Sequence, residues 1–338
     1  MDRAIRRWSW GLLATAWIAA LLAFSPARGL AFNESVQHWA QEFPKTDFIR
    51  RTVDLSEIKG HGATRNSIRP IVDPEFVPVA RVEGIGAREP VVTLVADFVA
   101  RAYPIRMLIW HEIVNDVVSG KPVVVAYSPL SNSAAAYLRR VEGREVLFGN
   151  TGRLRHFNLI MYDTGSESWW QQFSGSAILG SKAGITLERL VTKVQSLERF
   201  RDAYPDGEVM VPKDPKAMAY GTTPYVHMDR AGGKGLGGYL MPRDVKPFER
   251  VVIVGEDAWT LKRLREKGAY ETDDLYIGVV PGQNSAHDAK WISFGRDVGN
   301  VVVRRRDADS GEWIDTAHDV TFAFLFKAFH PAGVLYTW

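Results

Sequence analysis

Hydrophobic positions change their spacing along the chain, and the changes divide it. Trp8 to Phe24 is a run without a charged side chain, preceded by Arg3, Arg6 and Arg7 and ended by Ser25, Pro26 and Gly29. Gly29-Leu30-Ala31 sets small residues at the −3 and −1 positions of a cleavage site. A positive leader, an apolar run and a small-residue site make a secretory signal over residues 1–31, cleaved after Ala31. The rival is an uncleaved anchor, but the run is short for a spanning helix and Pro26 follows it at once. Residues 32–88 show no sustained period, and Asp73-Pro74 and Pro78 mark extended or turn backbone. From Glu89 the pattern turns strand-like: Val91, Val92, Leu94 and Val95, then Ile105 to Trp110, then Val123 to Tyr127 after a turn at Ser119-Gly120. Ala134 to Val141, Glu142-Gly143 and Val146 to Phe148 predict a hairpin, and Leu159 to Tyr162 another strand. Leu187, Leu190, Val191, Val194 and Leu197 fit helical spacing, although their β-branched content leaves a strand open. Ser196–Ala203 predicts a helix with Ser196 as its N-cap and Pro205 beyond its end.

Residues 206–248 are rich in Pro and Gly and predict a connector. Its Ala231-Gly232-Gly233-Lys234-Gly235-Leu236-Gly237-Gly238 tract lacks phosphate-loop spacing and has no strand feeding it. Three segments recur in order. Glu89-Pro90-Val91-Val92 returns as Glu249-Arg250-Val251-Val252. Asp163-Thr164-Gly165-Ser166-Glu167-Ser168-Trp169 returns as Asp307-Ala308-Asp309-Ser310-Gly311-Glu312-Trp313. Phe200 to Pro205 returns as Phe326 to Pro331. The fold class is therefore α+β and β-rich, with two degenerate repeated lobes of mainly antiparallel strands, each ended by a helix. The first lobe spans 89–205 and carries the candidate chemistry; the second, reduced lobe spans 249–338.

Composition narrows the chemistry. The chain has 338 residues, 46% hydrophobic and 24% charged, a globular balance. It has no cysteine, which excludes disulfides, thiol catalysis and iron–sulfur or Cys-ligated metal centres. The net charge of +3 sits in the leader, where Arg3, Arg6, Arg7 and Arg28 face Asp2 alone. A neutral remainder gives no electrostatic case for nucleic acid. No nucleotide, haem or iron–sulfur cofactor is expected; a divalent metal remains a candidate. The expected location is periplasmic or secreted, with membrane contact only through an uncleaved signal.

Several segments carry a family resemblance: Arg101-Ala102-Tyr103-Pro104-Ile105, Trp110-His111-Glu112-Ile113-Val114-Asn115-Asp116, Ser128-Pro129-Leu130-Ser131-Asn132, Met161-Tyr162-Asp163 and Ser166-Glu167-Ser168-Trp169-Trp170-Gln171. The chain resembles the exported bacterial and archaeal proteins of domain-of-unknown-function family 3179 over roughly residues 64–338. The resemblance implies no activity. Members usually carry Cys-Pro-Leu-Cys where this chain has Ser128-Pro129-Leu130-Ser131, so thiol-dependent chemistry is absent here.

The candidate ligand-binding residues are His111, Glu112, Asn115, Asp116, Ser128, Ser131, Asn132, Asp163, Ser166 and Glu167. On a helix, His111 and Asn115 share one face while Glu112 and Asp116 share the next. A metal or substrate site is one reading of that tract. A polar network bonding loop backbone, with Asn115-Asp116 in a turn, is the other. Ser128 and Ser131 follow a strand end, where function often sits, yet Ser-Pro is also an ordinary turn. Asp163, Ser166 and Glu167 either bind a sugar or cation beside Trp169 and Trp170 or close a hairpin loop. Candidate metal ligands are His111, Glu112, Asp116 and His227; candidate catalytic bases are His111 and Glu112. His38, His61, His287, His318 and His330 stand in no constellation. The expected function is binding of a small ligand or metal ion. The rivals are a metal- or carboxylate-assisted hydrolase and an envelope interaction module using some of the eleven tryptophans.

Overall fold

The computed structural model describes residues 34–60, 62–230 and 241–337. The signal over 1–31, His61 and the Ala231 to Gly238 tract lie outside the described residues. The chain forms two units, residues 1–42 and 43–338. The described part of the first is the helix Glu34–Glu42, in which His38 Nε2 meets Glu42 Oε1 at 3.0 Å one turn on. Among the described residues no helix is long and apolar enough to cross a membrane.

The second unit is β-rich, with short helices and mainly antiparallel sheets in a propeller-like ring. One sheet runs Thr192–Ser196, Pro90–Ala96, Val99–Pro104, Glu208–Val211 and Glu75–Pro78. Its first three strands are antiparallel neighbours, and Glu208–Val211 joins Val99–Pro104 in parallel. Another sheet runs Asp319–Phe322, Arg250–Val254, Asp257–Thr260 and Leu335–Tyr336 with the same succession of directions. Helices Ile105–His111 and Leu261–Lys267 follow the third strand of each sheet directly. Helices Leu197–Ala203 and Ala323–Phe329 follow the first.

Two further five-stranded sheets carry most of the tracts singled out in the sequence. In one, Ser133–Leu138, Lys121–Ser128 and Ile113–Val118 form the centre. In the other, Phe148–Arg155, Asn158–Asp163 and Trp169–Gln171 do. Strand Lys121–Ser128 is buried on both faces after its first residue, and its side chains alternate between two cores. Val123, Val125 and Tyr127 pack with Tyr103, Ile105 and Leu108. Val124 and Ala126 pack with Tyr137, Phe148 and Trp170. The strand is thus a shared wall, which explains why its sequence is apolar without alternation.

The structure corrects several local expectations. Ile105–His111 is a helix, not a strand: Ile105, Leu108 and Ile109 fall on one buried face, a period too short-lived to dominate seven residues. Residues 187–196 are not helical; strands Arg189–Leu190 and Thr192–Ser196 lead to a helix beginning at Leu197. There β-branched content outweighed the helical spacing. The Ser196 cap is present, its side chain accepting the Arg199 N–H. Asn115 and Asp116 lie within strand Ile113–Val118, not in a turn. The irregular stretch before residue 89 supplies edge strands to three sheets, and the connector's Glu208–Val211 belongs to the first sheet.

Candidate functional site

The helix Ile105–His111 ends where Glu112 takes a positive φ of 58° and its N–H returns to the Leu108 carbonyl at 2.7 Å. Non-glycine residues rarely adopt this conformation. It reverses the chain into the next strand and turns the Glu112 carboxyl inward, to 6% exposure. Asn150 Nδ2 donates to it at 2.6 Å. Burial pushes its pKa up from 4.5 to about 7, with the Asn150 bond opposing.

Its neighbours in sequence serve other surroundings. His111 is held through Nδ1 at the Arg69 carbonyl and through Nε2 at the Tyr220 hydroxyl, both 2.8 Å. Asn115 clamps the main chain of Phe148, donating to its carbonyl at 2.9 Å and accepting its N–H at 2.7 Å. Asp116 accepts from Arg101 Nη1 at 2.9 and 2.8 Å, from the Tyr103 hydroxyl at 2.6 Å and from the Val117 N–H at 2.7 Å. The tract beginning at Trp110 therefore does not converge on one opening, because strand geometry sends alternate residues to opposite faces.

Ser128 and Ser131 are buried as well. Ser128 Oγ accepts the Leu159 N–H at 3.1 Å. Asn158 Nδ2 donates to Ser131 Oγ at 3.0 Å, Ser133 Oγ at 2.9 Å and Gln172 Oε1 at 2.8 Å. Asn132 is left-handed and accepts the Tyr127 hydroxyl at 3.1 Å. Asp163 accepts the Ser166 N–H at 2.6 Å, its hydroxyl at 2.7 Å and Trp170 Nε1 at 3.0 Å, which closes the hairpin loop. Glu167 accepts the Lys45 N–H and pairs with Arg65, both at 2.9 Å. His227 is exposed, its N–H on the Asp288 carbonyl. Among the described residues no group of three or more His, Asp and Glu side chains is placed to hold a metal ion. The set His111, Glu112, Asp116 and His227 is thus not assembled.

Unsatisfied polar atoms gather elsewhere. Tyr127, Asn132, Arg250, Gln283 and Asn284 line a small enclosed pocket. Among the described residues, Arg250 Nε and Gln283 Oε1, on two residues that line it, are buried without a hydrogen-bond partner. So is Nδ1 of nearby His287. His287 Nε2 donates to the Pro129 carbonyl at 2.8 Å, which leaves Nδ1 as a lone-pair acceptor. Burial, then the charge of Arg250, pushes that imidazole down to about 3, so it is neutral.

Arg250 also floors an open cleft of about 440 Å³. It is 9% exposed and opens the strand Arg250–Val254, every other residue of which is also buried. Nη2 donates to Ser285 Oγ at 3.0 Å and to Asp229 Oδ2 at 3.3 Å. Asp229 in turn accepts Ser285 Oγ at 2.6 Å and Arg296 Nη1 at 2.7 Å. Burial works to raise the Asp229 carboxyl, but Arg250 and Arg296 hold it at about 2. The cleft is lined by six cationic side chains against two carboxylates, with Phe248, Leu261 and Val298 as an apolar wall. This arrangement can hold a small molecule by charge-assisted hydrogen bonds over an apolar surface.

Of the sequence candidates only Asn132 lines one of these two cavities. Arg250, Asp229, Ser285, Gln283, His287 and Arg296 were missed. One signal was present: an arginine heading an apolar strand, where the similar segment Glu89-Pro90-Val91-Val92 has Pro90. A family model described as a protein of unknown function (DUF3179) matches residues 65–333. No curated protein and no solved structure matches the chain.

Proposed function

Because the chain belongs to the DUF3179 family of proteins of unknown function, whose description carries no activity, we propose a function from the cleft itself: an exported protein, periplasmic or secreted, that binds a small ligand over Arg250. The observation that carries the reading is the Arg250 guanidinium in the lining of a 440 Å³ cleft, nine-tenths buried, held by Ser285 and Asp229 and accompanied by five further cationic side chains. Cationic donors fixed in an open cleft bind a polar or anionic ligand group by charge-assisted hydrogen bonds. Export rests on the leader sequence alone. A hydrolytic reading would draw on the raised carboxyl of Glu112, but that residue lines neither the cleft nor the enclosed pocket.

We further read the chain as two degenerate copies of one lobe. The support is local as well as topological. Leu197 N–H donates to the Glu89 carbonyl at 3.0 Å, and Ala323 N–H to the Glu249 carbonyl at 2.8 Å. Ser166 N–H donates to Asp163 Oδ1 at 2.6 Å, and Ser310 N–H to Asp307 Oδ1 at 2.8 Å. These are the positions that the sequence repeat aligns.

The binding reading is tested by thermal unfolding of the mature chain with sugars, amino acids, carboxylic acids and phosphate esters. One class should raise the midpoint in a saturable way, and Lys246→Trp, which fills the cleft mouth, should abolish the rise. No response from any class, or an equal response in the variant, would overturn it.

A further inference from the structure

Resting on that cleft as the binding site, we infer that its ligand is a multiply charged oxyanion, a phosphate or small phosphate monoester, gripped by Arg250, Arg265 and Arg296. Arg230, Lys246 and Lys262 complete the basic lining. Two carboxylates, Asp229 and Glu249, share this lining with the six cations, while Glu266 lies 4.0 Å from Lys262. Asp229 is shared between Arg250 and Arg296, and Asp288 between Arg230 and Arg296. Glu249 is the other lining acid, and burial raises its pKa against the nearby Lys262 and Arg263. Arg265 has no hydrogen bond or ion pair among the described residues. Loss of water lowers its pKa, Asp297 opposes, and the charges of Arg250 and Arg296 add to the lowering. Like charges crowded this way are relieved by an anion placed between them.

The donor types point the same way. Guanidinium groups present flat forks that match an oxyanion, and Arg250 is fixed in place by Ser285, Asp229 and the Phe322 ring 5.5 Å beneath it. Such a preset donor loses little entropy on binding. The volume exceeds what a bare phosphate fills, and Phe248, Leu261 and Val298 offer a surface to the organic part of an ester. The same corner of the first sheet is built otherwise. Pro90 heads the strand, and Glu89 is paired with Arg106 at 3.0 Å. The unbalanced charge therefore belongs to this one corner rather than to the sheet design.

Isothermal titration of the mature chain decides the matter, with inorganic phosphate, glycerol phosphate, acetate and glycerol as probes. Glycerol phosphate should bind one to one, more tightly than phosphate. Acetate should bind much more weakly, glycerol should give no heat, and affinity should fall with salt. Arg265→Glu, at a residue without a bonded partner among the described residues, should weaken glycerol phosphate by about tenfold or more while leaving the unfolding midpoint in place. Arg250→Leu should abolish binding. Because that change strands Asp229, Arg265→Glu is the decisive variant. Glycerol binding as tightly as its phosphate, with both lost in Lys246→Trp, would overturn the oxyanion and leave the cleft standing. Glycerol phosphate binding equally to wild type, Arg265→Glu and Lys246→Trp would overturn both, and absence of heat from every probe would overturn the oxyanion.

Discussion

Glu112→Gln offers the sharpest test of how the Trp110–Asp116 tract is built. The carboxyl is buried, it accepts a hydrogen bond from Asn150, and its pKa rises from 4.5 to about 7. The folded chain therefore holds this proton more tightly than the unfolded chain does. Stability is undiminished below pH 4.5, declines as the pH climbs toward about 7, and stays reduced above it. The full difference corresponds to about 3 kcal/mol. Glutamine has the same shape, keeps an oxygen for Asn150 and does not titrate. Urea unfolding of both chains across the pH window isolates the effect, since every other group cancels in the difference. The variant should match wild type in acid and become more stable by about 3 kcal/mol in mild alkali. A difference that stays flat across the window, or wild type gaining on the variant as pH rises, would refute the claim that burial governs this carboxyl.

Other perturbations probe the remaining parts. Asn115→Ala leaves the Phe148 N–H and carbonyl without their side-chain partner in a closed core and should cost about 2–4 kcal/mol by urea unfolding; a loss well under 1 kcal/mol would mean that the clamp is dispensable. Gly149→Ala would bring a Cβ within 2.4 Å of the Tyr162 ring and should lower the unfolding midpoint by several degrees, whereas an unchanged midpoint would show that the ring moves aside freely. Expression with the native leader should yield a mature chain beginning at Phe32 by N-terminal sequencing, and a retained leader would favour the anchor.

The β-rich class, the Leu197–Ala203 helix with its serine cap and the Asp163–Trp169 loop were all legible, because each depends on local signals. Capping and Asx turns are decided within a few residues. The site was less legible. His111, Glu112, Asn115 and Asp116 are chemically rich and adjacent, and adjacency in sequence suggested convergence in space. A helix end, a positive φ and a strand intervene, so their side chains diverge to Tyr220, Asn150, Phe148 and Arg101. Arg250, Asp229 and Ser285 converge from three separated segments, and no spacing rule registers such a meeting. The sequence holds only an arginine at the head of an apolar run; its burial is seen in the structure alone.

The Ser128-Pro129-Leu130-Ser131 loop connects these results. Its hydroxyls are committed to a closed polar layer with Leu159, Asn158 and Ser133. Oxygen suits that layer better than sulfur, which accepts hydrogen bonds weakly. The loop's carbonyls are bound from the other half of the chain. His287 donates to that of Pro129, and Thr321 Oγ1 donates to that of Ser131 at 2.7 Å. Thr321 pairs in register with Val251, one residue beyond Arg250. A loop fixed from both sides holds Tyr127 and Asn132 against the pocket that Arg250 also lines. A loop counted in the sequence among the candidate ligand-binding segments thus serves as a joint. Through these two hydrogen bonds and the Thr321–Val251 pairing it ties the first half of the chain to the strand that Arg250 opens.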